Sequence, residues 1–209
     1  MSKPILYLFN GKVARVGSVA LGTYEQEPDP YNPLGLPEKT IRVKFSSGYT
    51  PTTGYDWDSV TLVDAEENVW DMTRSNSLWS SVFYQNTNLL EVIGANLTGV
   101  TNLYRTFYYC TNLTKIVVFD TSSVETLSYA FSRTAITSIP LFPVDNVQYA
   151  DAAFYSCRVV ESGALDMYNA LSNKLVEVVA HLGTFAYCGD QTVTGAAELA
   201  QIPSNWKQS

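Results

Sequence analysis

The sequence predicts an α+β fold organised as a short solenoid of stacked repeats, with a β-hairpin and a proline-rich arm ahead of it. Three observations lead to this prediction. Apolar residues recur with a long period in the middle of the chain, a proline-rich stretch precedes them, and atypical segments flank them on both sides.

The period is clearest in four phenylalanines, Phe83, Phe107, Phe131 and Phe154, which are separated by 24, 24 and 23 residues. Mostly apolar positions before and after each phenylalanine keep the same register. When the four segments are aligned on their phenylalanines, several other positions also match, and we call each set of matching positions a column. Several such columns are typical of repeats that bury their apolar faces on one another. We therefore expect about four units of 23–24 residues between residues 76 and 157.

Each unit is predicted to contain two helical turns, a polar corner and a short strand. Val124, Leu127 and Phe131 stand at i, i+3 and i+7, which places them on one face of a helix. Residues 113–119 are apolar enough for a short strand after the corner.

The first 39 residues are predicted to be a separate hairpin and docking arm. Apolar residues 5–9 and 13–19 flank Asn10-Gly11, a strong hairpin signal because both residues tolerate positive φ. Four prolines between residues 25 and 39 then favour an extended arm. Residues 40–209 form the second predicted domain.

Capping elements are expected at both ends of this second domain. Residues 40–45, 60–63 and 69–72 have the patterns of short strands. In the C-terminal cap, residues 158–209, two helices are expected, one over residues 162–171 and one over residues 194–203 that stops before Pro203.

Charge and hydropathy exclude several classes of function. The net charge is −7, and the 13 lysines and arginines are scattered, so we expect no nucleic-acid partner. No apolar run approaches the roughly 18 residues of a membrane span. The apolar residues 5–9 are shorter than the roughly 7–15 residues of a secretory core, so we expect a mature N-terminus without an export signal.

The residues needed for catalysis or metal binding are sparse. His181 is the single histidine, and the three cysteines form no Cys-x-x-Cys pair, so we expect no enzyme activity, no metal site and no cofactor. Cys110, Cys157 and Cys188 each follow a phenylalanine by three residues, which predicts a structural role in one column of the repeats.

Two neighbouring stretches, residues 107–116 (FYYCTNLTKI) and 119–131 (FDTSSVETLSYAF), resemble the repeats of bacterial surface proteins of the BspA-like leucine-rich-repeat class. Phenylalanine stands here at the Met-Phe position of the family pattern, without the methionine. The resemblance covers about residues 76–157 and implies a leucine-rich-repeat-like solenoid. Residues 44–51 and 195–207 are similar to segments of forms encoded by phages and prophages of gut Firmicutes.

The resemblance implies adhesion, because members of the family are mostly adhesive surface proteins. Since neither an export signal nor a wall anchor is recognisable, we expect a virion-associated protein of a phage tail or capsid. Its N-terminal segment would dock to other virion proteins, and its repeats would bind a host-surface glycan or protein. A bacterial surface or secreted BspA-like adhesin and a purely architectural virion protein are the alternatives. Homo-oligomers are possible in each case.

Tyrosines are the candidate contacts with such a ligand, since the chain contains 14 of them. Aromatic faces stack on sugars and anchor protein interfaces. The alternative role is to cover the side of the fold. The six candidates lie in or near the repeated columns: Tyr84, Tyr104, Tyr108, Tyr109, Tyr129 and Tyr155.

Overall fold

Strand β3 (Thr40–Phe45) lies at the centre of the main sheet. Ile41, Val43 and Phe45 are buried, as expected for a strand that places alternate residues on the core. Between them, the guanidinium of Arg42 holds the carboxylate of Asp71 on the facing strand through two hydrogen bonds of 2.7 and 3.0 Å. This two-point ion pair, which raises the pKa of Arg42, joins the two strands in register.

The computed structural model describes residues 6–9, 12–15, 29–51, 57–64, 68–117 and 120–208, with the backbone alone at residues 6–9, 12–15 and 62–64. The other strands of the main sheet are β4 (Ser59–Asp64), β5 (Val69–Thr73), β6 (Leu89–Asn96) and β7 (Lys115–Ile116). The order is β4-β5-β3-β6-β7, antiparallel except for the parallel pair β6 and β7.

A separate two-stranded sheet pairs β1 (Leu6–Phe9) with β2 (Lys12–Arg15) in antiparallel register. Asn10-Gly11, which predict the turn of this hairpin, lie outside the described residues, as do residues 16–28 of the predicted arm.

The described end of the proline-rich stretch packs on strand β6. Leu36 is buried, and its carbonyl accepts hydrogen bonds from the Asn32 side chain (2.9 Å) and from the Asn96 side chain (2.8 Å). A Cβ at Gly94 would come within 2.5 Å of Leu34 Cδ1, so this glycine leaves space for the segment. Residues 32–36 are therefore part of the packed molecule.

Three helices follow in the C-terminal part: α1 (Ala164–Ser172), α2 (Val178–His181) and α3 (Val193–Gln201), ahead of a 3-10 turn at Ser204–Trp206. Helices α1 and α3 lie where they are predicted, and α3 ends before Pro203. None of the helices in the described part of the chain has the length and apolar character needed to cross a bilayer.

The predicted leucine-rich-repeat-like solenoid is wrong. The chain has a mixed α/β fold with a compact five-stranded mixed sheet, and solenoid units of one helix and one strand are not found among the described residues. Residues 124–131 form turns where two helical turns were expected, and residues 113–117 contribute only the two-residue strand β7. The spacing i, i+3, i+7 indicates which side chains are buried, but turns with mixed φ values satisfy it as well as a helix does.

Candidate functional site

The aligned phenylalanines stack on one another in the core. Phe83, Phe107, Phe131, Phe154 and Phe185 lie with successive ring centroids 5.4, 5.2, 5.4 and 5.7 Å apart and nearly parallel planes. We call these five residues the phenylalanine stack. Each ring is fully or almost fully buried, so the stack is a continuous apolar support for the residues on either side.

Backbone hydrogen bonds hold the turns that carry these phenylalanines side by side. The Phe107 N–H donates to Ala130 O (2.8 Å), and the Phe131 N–H donates to Ala153 O (2.9 Å). Non-glycine residues two positions before and after the phenylalanine adopt positive φ, for example Tyr129 (57°) and Arg133 (61°). This left-handed conformation costs on the order of 1 kcal/mol for a non-glycine residue. The hydrogen bonds between neighbouring turns therefore have to stabilise it.

One residue after each of the first two phenylalanines, tyrosines stack on the outside of the molecule. Tyr84 and Tyr108 lie 5.3 Å apart with an angle of 8° between their rings. In the same position after Phe131 stands Ser132, and after Phe154 stands Tyr155. The column of tyrosines is therefore interrupted by one small residue between Tyr108 and Tyr155.

A cleft of about 300 Å³ lies at this interruption. We call it the tyrosine cleft. Its main lining residues are Tyr108, Tyr129, Ser132, Arg133, Ala152 and Tyr155. The backbone of Leu182-Gly183, at the C-terminal end of α2, borders it on the side of the last turn, where the Ala152 N–H donates to Leu182 O (2.9 Å).

The cleft contains a buried hydroxyl group without a partner. Ser132 is 0% exposed, and its Oγ has no hydrogen-bond partner among the described residues. A buried hydroxyl without a hydrogen bond is unfavourable by about 1–3 kcal/mol. The hydroxyl is therefore an unsatisfied polar group in the wall of the cleft.

Two arginines lie among the tyrosines. The Arg105 guanidinium lies 4.9, 5.5 and 5.3 Å from the ring centroids of Tyr104, Tyr108 and Tyr129. Arg133, which is exposed, lies 5.7 Å from the Tyr109 ring and 5.6 Å from the Tyr155 ring. Neither arginine forms an ion pair with a carboxylate among the described residues, so both positive charges interact with aromatic faces instead.

The structure brings all six predicted tyrosines into one surface. Tyr108, Tyr129 and Tyr155 line the cleft, and the other three surround it. Tyr84 and Tyr109 are 40% and 39% exposed and contact Tyr108, while Tyr104 packs edge-on against Tyr129. We call these six residues the tyrosine surface.

Sequence reasoning missed Ser132, Arg105 and Arg133. The sequence did contain a signal for Ser132. A tyrosine directly follows Phe83, Phe107 and Phe154, whereas a serine follows Phe131. The two arginines stand two residues before Phe107 and two residues after Phe131, so no shared column connects them. Their proximity to the same tyrosines depends on the stacking of the turns.

All three cysteines are buried, and two of them donate to the backbone. Cys110 Sγ donates to Phe83 O (2.9 Å), and Cys157 Sγ donates to Phe131 O (3.0 Å). Burial raises the pKa of Cys110 to about 12 and that of Cys157 to about 11, and it also raises the pKa of Cys188 well above its ordinary value. Protonated, enclosed thiols are weak nucleophiles, which agrees with the predicted structural role.

His181 is also enclosed. Its ring lies flat on Trp206, with centroids 4.0 Å apart, and desolvation by burial lowers its pKa. Within the described parts of the chain, no three His, Cys, Asp or Glu side chains come close enough to hold a metal ion. A comparison of the chain with protein-family models, with curated proteins and with solved structures found no match.

Proposed function

We propose that the chain is a non-enzymatic adhesion protein of a phage virion, on the tail or the capsid, which binds a host-surface glycan or protein through the tyrosine surface. The observation that carries the proposal is the clustering of six tyrosines and two arginines around one cleft. Tyrosine and arginine are enriched among the residues that dominate binding energy, because they offer large contact areas and directed hydrogen bonds.

The chemistry of the site favours binding over catalysis. The three thiols are buried and protonated, and the buried imidazole of His181 packs on Trp206. The tyrosine cleft itself is lined by aromatic, small and guanidinium side chains. It therefore offers stacking surfaces and donors but no nucleophile paired with a base.

The assignment to a virion rests on the resemblance of residues 44–51 and 195–207 to phage-encoded forms. Immunogold electron microscopy of a culture that expresses the gene, with an antibody against residues 76–157, tests it. We expect gold on phage tails or capsids, where the N-terminal segment would dock to other virion proteins. Gold on cell envelopes with unlabelled particles would instead favour a bacterial surface adhesin.

Adhesion is tested separately, with fluorescently labelled protein and bacterial cells from the same culture. We expect the double variant Tyr84→Ala/Tyr109→Ala to lose cell binding by about tenfold or more, since two interface aromatics that each contribute about 1 kcal/mol give a loss of this size. Tyr149→Ala is the matched control, because Tyr149 is 51% exposed but lies outside the tyrosine surface.

Equal binding by the double variant and the control would exclude the tyrosine surface as the adhesive face. If labelled wild-type protein fails to bind any cells while immunogold labels virions, a purely architectural role follows.

A further inference from the structure

We propose that the tyrosine cleft binds an acidic sugar residue, with its pyranose ring between Tyr108 and Tyr155 and its carboxylate on Arg133. The inference rests on the proposed adhesive function and deepens it, because it names the class of ligand that the surface recognises.

The shape of the cleft corresponds to one missing ring. Tyr84 and Tyr108 stack at 5.3 Å, and Phe107, Phe131 and Phe154 set the next two steps at 5.2 and 5.4 Å. A ligand in the space over Ser132 would lie about one such step from the turn that carries Tyr108 and one step from the turn that carries Tyr155. The cleft, at about 300 Å³, thus has room for a single pyranose.

The base of the cleft is polar. Ser132 Oγ is buried and has no partner in the described structure, so an apolar or aromatic ring would leave it unsatisfied. A sugar hydroxyl can accept from or donate to it, because hydroxyl groups do both. This polarity favours a saccharide over the aromatic side chain of a protein ligand.

An arginine, Arg133, lines the cleft, although the chain as a whole carries −7. Arg133 extends from the lining over Tyr109 and Tyr155 and forms no ion pair with a described carboxylate. Asp151, the acidic residue nearest in sequence to the lining residue Ala152, is hydrogen bonded to Ser128 Oγ. A guanidinium binds a carboxylate through two parallel hydrogen bonds, which favours an acidic sugar over a neutral one.

The neighbouring turn provides a matched control. Arg158 also lies over a tyrosine, 5.7 Å from the Tyr187 ring, but its guanidinium is held by Asp190 through contacts of 3.0 and 2.7 Å. Arg158→Gln removes the same charge as Arg133→Gln, without changing the cleft.

The experiment is an NMR titration of the isotope-labelled full chain with methyl glucuronide and with the methyl glycoside of N-acetylneuraminic acid. The methyl esters of both compounds serve as neutral probes. We expect at least one acid to shift signals of Ser132 and Arg133, and to bind about tenfold more tightly than its ester. Arg133→Gln should remove this preference, and Arg158→Gln should retain it.

Ser132→Tyr tests the position of the ligand. Tyrosine occupies this column position after Phe83, Phe107 and Phe154, so the substitution completes the column and should leave the melting temperature unchanged or raised. We expect it to abolish binding of the acid. Binding that survives in Ser132→Tyr, binding of acid and ester with equal affinity, or binding of neither acid would overturn the inference.

These outcomes are distinguishable from a failure of the proposed function. If wild-type protein and Ser132→Tyr adhere equally to cells and neither acid binds in the cleft, adhesion stands and the acidic-sugar site does not. If the acid binds in the cleft but the protein adheres to no cells, the site stands and the adhesive function does not.

Discussion

At the scale of single residues, Ser132 determines the shape of the candidate site. Its neighbours in the column are tyrosines that stack at 5.3 Å where two are adjacent. A serine at one position removes a ring from this row and leaves a cleft with a hydroxyl at its base. With a tyrosine at position 132, the row of tyrosines would be continuous and the cleft would be filled. A continuous row would fit the alternative role, in which the tyrosines only cover the side of the fold.

His181 leads to a prediction on pH. Burial lowers its pKa below the ordinary value of about 6.5, so the unfolded chain binds a proton at a pH at which the folded chain does not. The histidine therefore stabilises the fold fully above that value, and this stability is lost as the pH falls toward the folded pKa. We expect the free energy of unfolding of His181→Phe, measured with urea, to fall less between about pH 7.5 and about pH 5 than that of the wild type.

Phenylalanine keeps a ring against Trp206, so the two proteins should unfold similarly at neutral pH. Carboxylates contribute to acid destabilisation in both of them and cancel in the difference. If the free energy of unfolding falls equally with pH in the variant and the wild type, His181 titrates in the folded state as it does in the unfolded chain.

At the scale of elements, helix α3 stabilises the N-terminus of helix α1. The carboxylate of Glu198 on α3 accepts hydrogen bonds from the backbone N–H groups of Gly163 (3.3 Å) and Leu165 (3.1 Å) at the N-terminus of α1. Helix N-termini attract negative charge and leave N–H groups unsatisfied, so this contact provides α1 with a cap from outside itself. A Cβ at Gly195 of α3 would lie 2.0 Å from Val160 O, which explains the glycine at this close approach.

Helix α3 depends on Thr192. Its hydroxyl accepts from the Gly195 N–H (3.1 Å) and donates to Val160 O (2.6 Å). We expect Thr192→Ala to lower the free energy of unfolding by about 1–2 kcal/mol, because it removes both the helix cap and the contact with the preceding turn. Chemical denaturation followed by circular dichroism measures this change. Thr192→Ser retains the hydroxyl and should lose much less; equal losses would show that the methyl group, not the cap, is responsible.

At the scale of the whole molecule, aromatic contacts continue from the main sheet to the C-terminus. Phe83 begins the phenylalanine stack and lies 6.4 Å from Phe45 on β3, and Phe185 ends it 6.2 Å from Trp206. Trp206 also provides the carbonyl that accepts from the Phe185 N–H (3.0 Å). Sheet, turns and C-terminal helices therefore share one core, as the cluster of buried apolar residues in the described part of the chain indicates.

Phe131 lies in the middle of this core, so its removal should affect the entire molecule. We expect Phe131→Ala to lower the free energy of unfolding by about 3–5 kcal/mol, because it leaves a cavity between two stacked rings. Urea unfolding followed by tryptophan fluorescence measures this loss. Phe131→Leu should lose less, and the surface variant Tyr149→Ala almost nothing. A loss as small as that of Tyr149→Ala would mean that the stack contributes little to stability.

Three strands of the main sheet, β3 to β5, and the two longer helices could be predicted from the sequence, because each has a local pattern of its own. Strand β6 was not predicted, because its residues were assigned to the repeats. Residues 40–45 alternate between apolar and basic side chains, and Gln201 is followed closely by Pro203. The turns around Phe107 and Phe131 could not be predicted, since residues such as Tyr109 and Arg133 adopt positive φ only where neighbouring turns hold them. The solenoid prediction failed for this reason.

The sequence by itself determined which residues are buried, because a constant spacing places Phe83, Phe107, Phe131 and Phe154 in equivalent positions whatever the backbone does between them. Only the tertiary structure decided the strand order of the main sheet, the conformation of the turns and the tyrosine cleft. Each of these depends on contacts between residues far apart in the chain, such as Arg42 with Asp71 and Arg133 with Tyr155. Local spacing carries no information on such pairs, because their energies arise only once the turns are stacked.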